Sequence, residues 1–226
     1  MRLQRFGCTA RMCRVFVFLG ALFSACSFGP GNIQSRHSTD IEVRKIRRIA
    51  VIPPAPDGDP KAAVPFTSKP SETIRPDELL TKHLYATLVA QPGWQIVSEH
   101  EIEEVAQTIG PLNDAARRRR LGETVYADAV MTGRVLRYRE RIGNEIGAKS
   151  PASVAFVVEL IDVRRGDIVW SARFDETQRP LSENLFAIGD VGQRGLRWLS
   201  ADQLMLEGVR KAVNQLHQIL VQPRTS

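Results

Sequence analysis

Residues 153–177 read SVAFVVELIDVRRGDIVWSARFDET, and this stretch decides the fold. Ser153–Asp162 carry an apolar side chain at every second position of one face: Val154, Phe156, Val158 and Leu160. The same alternation returns over residues 167–177, with Ile168, Trp170, Ala172 and Phe174. Period-two alternation is the pattern of a half-buried strand, and the four-residue link 163–166 suits a tight turn. The stretch therefore predicts two antiparallel strands joined as a hairpin.

The chain before this hairpin alternates strand and helix patterns. Residues 46–52 (IRRIAVI) end in an apolar run that stops at two prolines, which is typical of a buried strand. Residues 94–97 and 127–139 predict two further strands. Three helices are predicted between them: residues 77–90, with leucines every fourth position; a helix opened by the capping box of Ser98 and Glu101; and a short helix capped by Asn113.

The last helix has the clearest apolar stripe in the chain. Ser200 and Gln203 form a second capping box. The stripe that follows comprises Met205, Val209, Ala212, Val213, Leu216 and Ile219. The predicted element order is β-α-β-α-α-β-β-β-α. Because crossover connections are right-handed, the first three strands are expected to be parallel and the last two antiparallel additions. We therefore predict an α/β (α+β mixed) fold with a single five-stranded mixed sheet and helices packed on it.

The charge of the chain is concentrated at its start. Of 226 residues, 31 are basic and 25 acidic, a formal charge of +6, but the first 25 residues hold four arginines and no acid. The remaining residues carry 27 basic and 25 acidic side chains, a net charge of +2. Sequence-independent nucleic-acid binding needs clustered positive charge, so we expect no nucleic-acid partner.

The first 26 residues are typical of a lipoprotein export signal. A basic stretch precedes residues 15–25 (VFVFLGALFSA), an apolar run of 11 that is too short to span a bilayer. Phe23, Ser24 and Ala25 precede Cys26, and Leu22 to Cys26 resemble the bacterial lipobox, with phenylalanine where leucine is favoured. The resemblance implies acylation of Cys26. The alternative is a plain secretory signal that leaves Cys26 as a free thiol.

These features predict the organisation of the chain. Residues 1–25 are the signal peptide, 26–44 a flexible tether from lipidated Cys26, 45–222 an α/β domain and 223–226 a tail. Two or more acyl chains make a stable membrane anchor, and the lipobox resemblance implies three chains on Cys26. Ser27 after the cysteine resembles the sorting signal for the outer membrane, so we expect a lipid-anchored domain in the periplasm. No cysteine follows Cys26, which excludes a disulfide framework in the domain.

Four segments resemble the CsgG/LpoB group of bacterial envelope lipoproteins. They are RRIAVIP (47–53), QIVSE (95–99), YADAVMTGRV (126–135) and LIDV with GDIVW (160–163 and 166–170). The resemblance implies a non-enzymatic adaptor or regulator that binds an envelope protein. The alternative is a self-associating subunit of a secretion or transport assembly, and an envelope hydrolase is a third hypothesis that rests on location alone. The links at 163–166 and 140–152 are too short for two membrane-spanning strands, which favours the adaptor.

Residue patterns for catalysis or metal binding are weak. The motifs GxSxG, HExxH, GxGxxG and GxxxxGK[ST] are absent, and the four histidines are scattered. His100 stands between Glu99 and Glu101, but acids at a helix N-terminus usually complement the helix dipole. The run 117–120 is four arginines, which either contact anionic lipid or form local ion pairs in solvent. We predict no catalytic, cofactor or metal-binding residue.

Two long irregular links are the predicted partner-binding segments. Residues 53–76 hold seven of the 13 prolines and also Phe66, an apolar side chain outside any periodic element. The link follows a parallel strand at the sheet edge where α/β folds place binding surfaces. Phe66 is therefore the candidate partner contact, and the alternative is a tolerated surface insertion. The second link, residues 140–152, is expected to be irregular as well.

Overall fold

The hairpin predicted from residues 153–177 lies at the centre of the sheet. The computed structural model describes residues 32–53, 75–110, 112, 114–144, 148–178 and 198–221. The strands are β1 Asn32–His37, β2 Arg48–Ile52, β3 Gln95–Ile96, β4 Ala129–Arg139, β5 Ile142–Gly143, β6 Ala148–Ser150, β7 Ser153–Asp162 and β8 Ile168–Thr177. The helices are α1 Pro76–Val89, α2 Glu99–Ile109, α3 Ala115–Thr124 and α4 Ala201–Val221, and a 3-10 turn spans Ile41–Arg44.

The main sheet is mixed, with the strand order β1-β8-β7-β4-β2-β3. Strand β2 pairs in parallel with β3 and with β4, while β4–β7, β7–β8 and β1–β8 are antiparallel. The predicted directions of the first three and the last two strands are confirmed. The sheet has six strands and not five, and the element order differs, because β1 precedes the predicted first strand and β5–β6 form a separate small sheet.

The helix ends follow the local hydrogen bonds that the sequence predicts, with one correction. Ser98 Oγ accepts from the Glu101 N–H at 3.2 Å, and Ser200 and Gln203 bond reciprocally, each side chain to the other's N–H. Helix α3 is capped by Asp114 and not by Asn113, since Asp114 Oδ1 accepts from the Arg117 N–H at 2.7 Å. A carboxylate at this position also complements the positive end of the helix dipole.

Two apolar cores lie on opposite sides of the sheet. Helices α1 and α4 cover one side: Leu84 of α1 lies beside Gly133 of β4, α4 packs on β7 and β8, and the Phe156 and Phe174 rings stack with centroids 5.2 Å apart. Helix α4 lies close to the sheet because of Gly208, at which a Cβ would come within 2.7 Å of the Phe174 ring. Helices α2 and α3 cover the other side, but only over β2 and the first part of β4. No described helix is long and apolar enough to cross a membrane.

Residues 32–44, which the sequence assigned to the flexible tether, contribute an ordered part of the domain. Strand β1 pairs with residues 170–175 of β8, from Asn32 opposite Asp175 to His37 opposite Trp170. The 3-10 turn then places the Arg44 side chain, 5% exposed, among three carboxylates: Asp40, Asp162 and Asp167. The assignment of residues 32–44 to the tether is therefore corrected, and the reason is an ion-pair cluster between residues more than 100 positions apart.

The link 140–152 also differs from the prediction of an irregular segment. Its described residues include β5 and β6, which pair antiparallel with each other and with no other strand. The link at 163–166 is the tight turn that was predicted: the Gly166 N–H donates to the Asp162 carbonyl at 2.7 Å. Gly166 has a φ of +76°, a conformation that glycine adopts at low cost.

Candidate functional site

Among the described residues, no helix covers one half of one side of the sheet, and we call that half the open face. It is formed by β1, β8, β7 and the second half of β4, on the side opposite α1 and α4. Helices α2 and α3 stop short of it because they pack over β2, the start of β4 and Val163. The described residues of this face therefore combine a four-stranded backbone with exposed arginines and with smaller buried side chains such as Thr132 and Ala155.

Strand register sets the side chains of the open face in rows. One row crosses the sheet as Arg134, Val157, Arg173 and Gln34. The row beside it runs Thr132, Glu159, Ser171 and Arg36, and a third contains Arg137, Ala155 and Asp175. Neighbouring strands are about 4.8 Å apart, so side chains two strands apart are separated by about 10 Å. These three rows carry four arginines and two carboxylates, a net charge of +2.

Two of the four arginines are fixed by a shared carboxylate. Arg137 donates to Asp175 and, through Nε, to Ser153 Oγ at 2.6 Å, while Arg173 donates to the second Asp175 oxygen at 3.3 Å. Partial burial acts to raise the pKa of Asp175, but the hydrogen bond and charge of Arg137 outweigh it and hold that pKa below the ordinary value of 3.8. Asp175 thus stays ionised and orders one edge of the open face.

The other two arginines have no such partner. Arg36 and Arg134 are exposed, and no described carboxylate lies within ion-pair distance of either. Between the arginines the surface is small and apolar, with Ala155 buried and Val157 half-buried. A guanidinium presents donors in a planar fork that matches a carboxylate, so the open face is suited to an acidic ligand surface.

An open depression adjoins this face at the outer edge of the sheet. Its volume is about 310 Å³, and Arg36, Ser171 and Ile168 are among the residues that line it. Ile168 is half exposed at 51%, so the depression joins a cation to an apolar wall. The depression therefore lies beside the Arg36 end of the open face.

The site residues predicted from the sequence are not among those that the structure describes. Cys26 with Phe23, Ser24 and Ala25, and Phe66 in the proline-rich link, fall outside the described residues. Their assignments as lipid attachment site and partner contact stay predictions.

The charged residues noted in the sequence form separate ion pairs and not a single site. His100 contacts Glu104 at 3.3 Å and Glu101 contacts Arg48 at 3.1 Å, so the structure does not gather residues 99–101 into one site. In the arginine run, Arg119 pairs with Glu123 at 2.9 Å and Arg117 with Asp114 at 3.5 Å, which is the local ion pairing that was one of the two interpretations. Among the described residues, no three His, Cys, Asp or Glu side chains are grouped as a metal site.

The arginines of the open face were missed from the sequence although a signal was present. Arg173 and Asp175 alternate with Ala172 and Phe174, so their strand positions show that they face away from the apolar side. Periodicity does not show whether a helix covers that second side, and only the packing of α2 and α3 reveals that it is open.

Comparison with known proteins gives structural likeness at low identity. No family model matches the sequence, and no curated protein matches it. The chain is similar to a PelC dodecamer subunit from Paraburkholderia phytofirmans (17% identity, 82% of this chain and 96% of that one, TM-score 0.45). It is also similar to the LpoB C-terminal domain from Salmonella enterica (15% identity, 58% of this chain and 83% of that one, TM-score 0.38). A third similar structure is lipoprotein GNA1162 from Neisseria meningitidis (19% identity, 66% of this chain and 98% of that one, TM-score 0.40).

These likenesses bear on the family resemblance only in part. LpoB domains are among the similar solved structures, in line with one branch of the CsgG/LpoB resemblance, whereas its CsgG branch stays a prediction. At these identities and TM-scores, no residue role, ligand or function is carried over to this chain.

Proposed function

We propose that this chain is a lipid-anchored protein of the cell envelope, attached through Cys26, that binds an acidic protein partner with its open face. It acts as an adaptor or regulator of an envelope assembly and not as an enzyme. The observation that carries the proposal is the pair of exposed arginines, Arg36 and Arg134, on a flat sheet surface that no described helix covers.

The anchor is supported by the sequence. An apolar run of 11 residues ends in small residues before Cys26, and residues 27–226 contain no second cysteine. Acylation accounts for a single cysteine in an exported chain, where a free thiol would be open to oxidation. Two or more acyl chains hold a protein stably on a bilayer, and Ser27 supports sorting to the outer membrane.

The binding role is supported by the chemistry of the open face. Arginine is enriched at protein interfaces, and its stiff planar head loses little freedom when it binds a carboxylate. A four-stranded sheet keeps the arginine backbones in a fixed array. A partner can therefore contact several charges without the entropy cost of ordering that backbone on binding. Arg36 and Arg134, which pair with no described carboxylate, give the face its attraction for an acidic partner, while Val157 supplies apolar contact on the same face.

A non-enzymatic role is supported by the groups on the same face. The hydroxyls of Ser153 and Thr177 lie 2.5 Å apart, and Ser153 also accepts from Arg137. No described carboxylate or imidazole is hydrogen-bonded to either hydroxyl. Nucleophilic catalysis by a hydroxyl needs such a base within hydrogen-bond reach. The described part of the open face thus offers binding groups and no activated nucleophile.

The anchor is tested by Cys26→Ala. The variant is expected to remain unprocessed or to be released in soluble form, whereas the unchanged chain fractionates with membranes and has a mature mass that includes acyl chains. Mature protein without acyl mass that still fractionates with membranes would show that lipidation of Cys26 is wrong.

The binding face is tested by reversing its two unpaired charges. Arg36→Glu with Arg134→Glu should abolish recovery of the partner when tagged protein is purified from detergent extracts. The matched control is Arg120→Glu with Arg210→Glu, which makes the same charge change at exposed positions of α3 and α4. Equal recovery with the face variant and with the control would refute the assignment of the open face as the binding site.

One observation favours self-association as a second candidate. Strand β1 is an edge of the main sheet, so its outer backbone groups pair with no described strand, and such edges can add a strand from another chain. The mature chain with Cys26→Ala would then sediment as a ring or other oligomer, as expected for a subunit of a transport assembly. An adaptor sediments as a monomer.

A further inference from the structure

We infer that the β5–β6 end of the domain faces the membrane and docks on anionic lipid headgroups, with Ile142 entering the interface. The inference rests on the proposed anchor at Cys26 for the orientation of the domain, but the surface itself is described by the structure. It assigns one side of the molecule to lipid and leaves the open face free for a protein partner.

The first argument is the short distance from Cys26 to the fold. Strand β1 begins at Asn32, six residues after Cys26, and six residues span at most about 20 Å. A tether that ended at residue 44 would have reached about three times as far. The end of the sheet where β1 begins is therefore held close to the bilayer.

Strand register identifies what else lies at that end. Asn32 is opposite Asp175, Ser153 is opposite Thr177, and Arg139 is opposite Ser153. The start of β1 is thus level with the last residues of β4 and β8 and with the first residues of β7. The β5–β6 hairpin connects β4 to β7 and so continues the sheet at this same end.

The hairpin carries the chemistry of an interfacial contact. Ile142 is 62% exposed, a large apolar side chain next to the cations Arg139 and Lys149, both of them exposed. The segment 139–150 contains three basic and two acidic residues. One acid and one base of this segment are bonded to residues near the start of α4: the Glu140 carboxylate accepts from the Ala201 N–H, and Arg141 donates to the Trp198 carbonyl. Basic residues with an exposed apolar side chain favour an anionic membrane surface.

The opposite end of the sheet has a similar surface, which makes it a suitable control. Val43 is 75% exposed there, with exposed Lys45 and Arg47 nearby in the chain. Strand β1 runs away from Cys26 toward this end and adds about 17 Å over its six residues. Val43 is therefore kept away from the bilayer although its chemistry resembles that of Ile142.

The orientation is tested with fluorophores on the lipidated protein in vesicles of phosphatidylcholine and phosphatidylglycerol. Because no cysteine follows Cys26, Ile142→Cys and Val43→Cys each provide one free thiol for labelling once Cys26 is acylated. Nitroxide carried on the lipid headgroups should quench the label at position 142 and leave the label at 43 largely unquenched. Equal quenching at the two positions, or stronger quenching at 43, would overturn the inference.

A second measurement tests the surface without the anchor. In the mature chain with Cys26→Ala, Arg139→Glu with Lys149→Glu should lower binding to phosphatidylglycerol vesicles at least about tenfold. Lys45→Glu with Arg47→Glu, the same charge change at the far end, should have little effect. Mass spectrometry of the unchanged protein separates the two proposals. A mature protein without acyl chains would refute the proposed anchor and not the lipid-binding surface. Equal effects of the two charge reversals would refute the lipid-binding surface of the β5–β6 hairpin and not the anchor.

Discussion

Replacing Arg44 with methionine removes the charge that ties residues 32–44 to the rest of the domain. Arg44 is 5% exposed and donates to Asp162, itself 4% exposed, at 3.1 Å, and to Asp167 at 2.7 Å. Methionine fills much of the same volume but leaves the buried Asp162 carboxylate without its cation. Removing one partner of a buried pair typically costs about 3–5 kcal/mol. We expect the lower end of this range, about 3 kcal/mol, because the Arg165 backbone N–H still donates to the Asp162 carboxylate at 3.0 Å.

The matched control is Arg165→Met, which removes an arginine from the surface of the same cluster. Arg165 contacts Asp40 at 3.0 Å with side chains 63% and 38% exposed, and exposed pairs contribute about 0–1 kcal/mol. At about 2–4 °C per kcal/mol for a domain of this size, Arg44→Met should lower the Tm by about 6–12 °C and Arg165→Met by no more than about 4 °C.

The assay is thermal and urea unfolding followed by circular dichroism, with Cys26→Ala in every chain to exclude lipid. Limited proteolysis of the Arg44→Met chain should also show earlier cleavage in residues 32–44 than in the unchanged chain. If the two variants differ by less than about 0.5 kcal/mol, within the spread of surface substitutions, then the buried cluster does not hold this segment.

Three further predictions concern the core, the pH response and the proline-rich link. Val209→Asp places an unpaired carboxylate in the core, which costs several kcal/mol of a free energy of unfolding of about 5–15 kcal/mol, so the chain should fail to accumulate. The control Arg210→Asp, on the exposed side of α4, should accumulate normally. Hydrogen bonds from Arg44 hold the pKa values of Asp40 and Asp167 below 3.8, so their stabilisation is present above that pH and is lost as the pH falls through the lowered pKa values. A Tm series in acid should therefore be steeper for the unchanged chain than for Arg44→Met. Replacing residues 57–72, which contain Phe66, with a short Gly/Ser link should leave the Tm nearly unchanged but reduce partner recovery, and full recovery would exclude this link as a partner contact.

The central part of the fold could be predicted because its signals are local. Ser153–Asp162 has the predicted bounds, and the apolar stripe of α4 is buried from Met205 to Leu216. Each of these elements buries one face, so apolar residues recur along its sequence with the period of a strand, two residues, or of a helix, 3.6 residues.

The elements that were missed lack such a signal. Strand β1 reads NIQSRH and offers a single large apolar residue, Ile33, so it does not alternate in the way a half-buried strand does. It joins the sheet as an edge, and the Arg44 cluster that follows it depends on carboxylates 118 and 123 positions away. Strands β5 and β6 have two and three residues, too few for any period to show.

The open face could be predicted only in part for a different reason. The outward direction of Arg134 and Arg173 follows from strand alternation. Whether that side is covered depends on where α2 and α3 pack, and this is decided by contacts such as Gly122 against Val130 and Val163. Tertiary packing, which no single segment encodes, determines that the arginines stay in solvent.

The most direct test of the open face as a partner site is photo-crosslinking in cells from Val157, at the centre of that face. A photoreactive amino acid at position 157 should form an adduct with a different envelope protein, and Arg36→Glu with Arg134→Glu should abolish it. The same amino acid in place of the exposed Lys82, on helix α1 on the other side of the sheet, should give no such adduct. An adduct from position 157 that survives the charge reversal, or that forms equally from position 82, would contradict the proposed binding face.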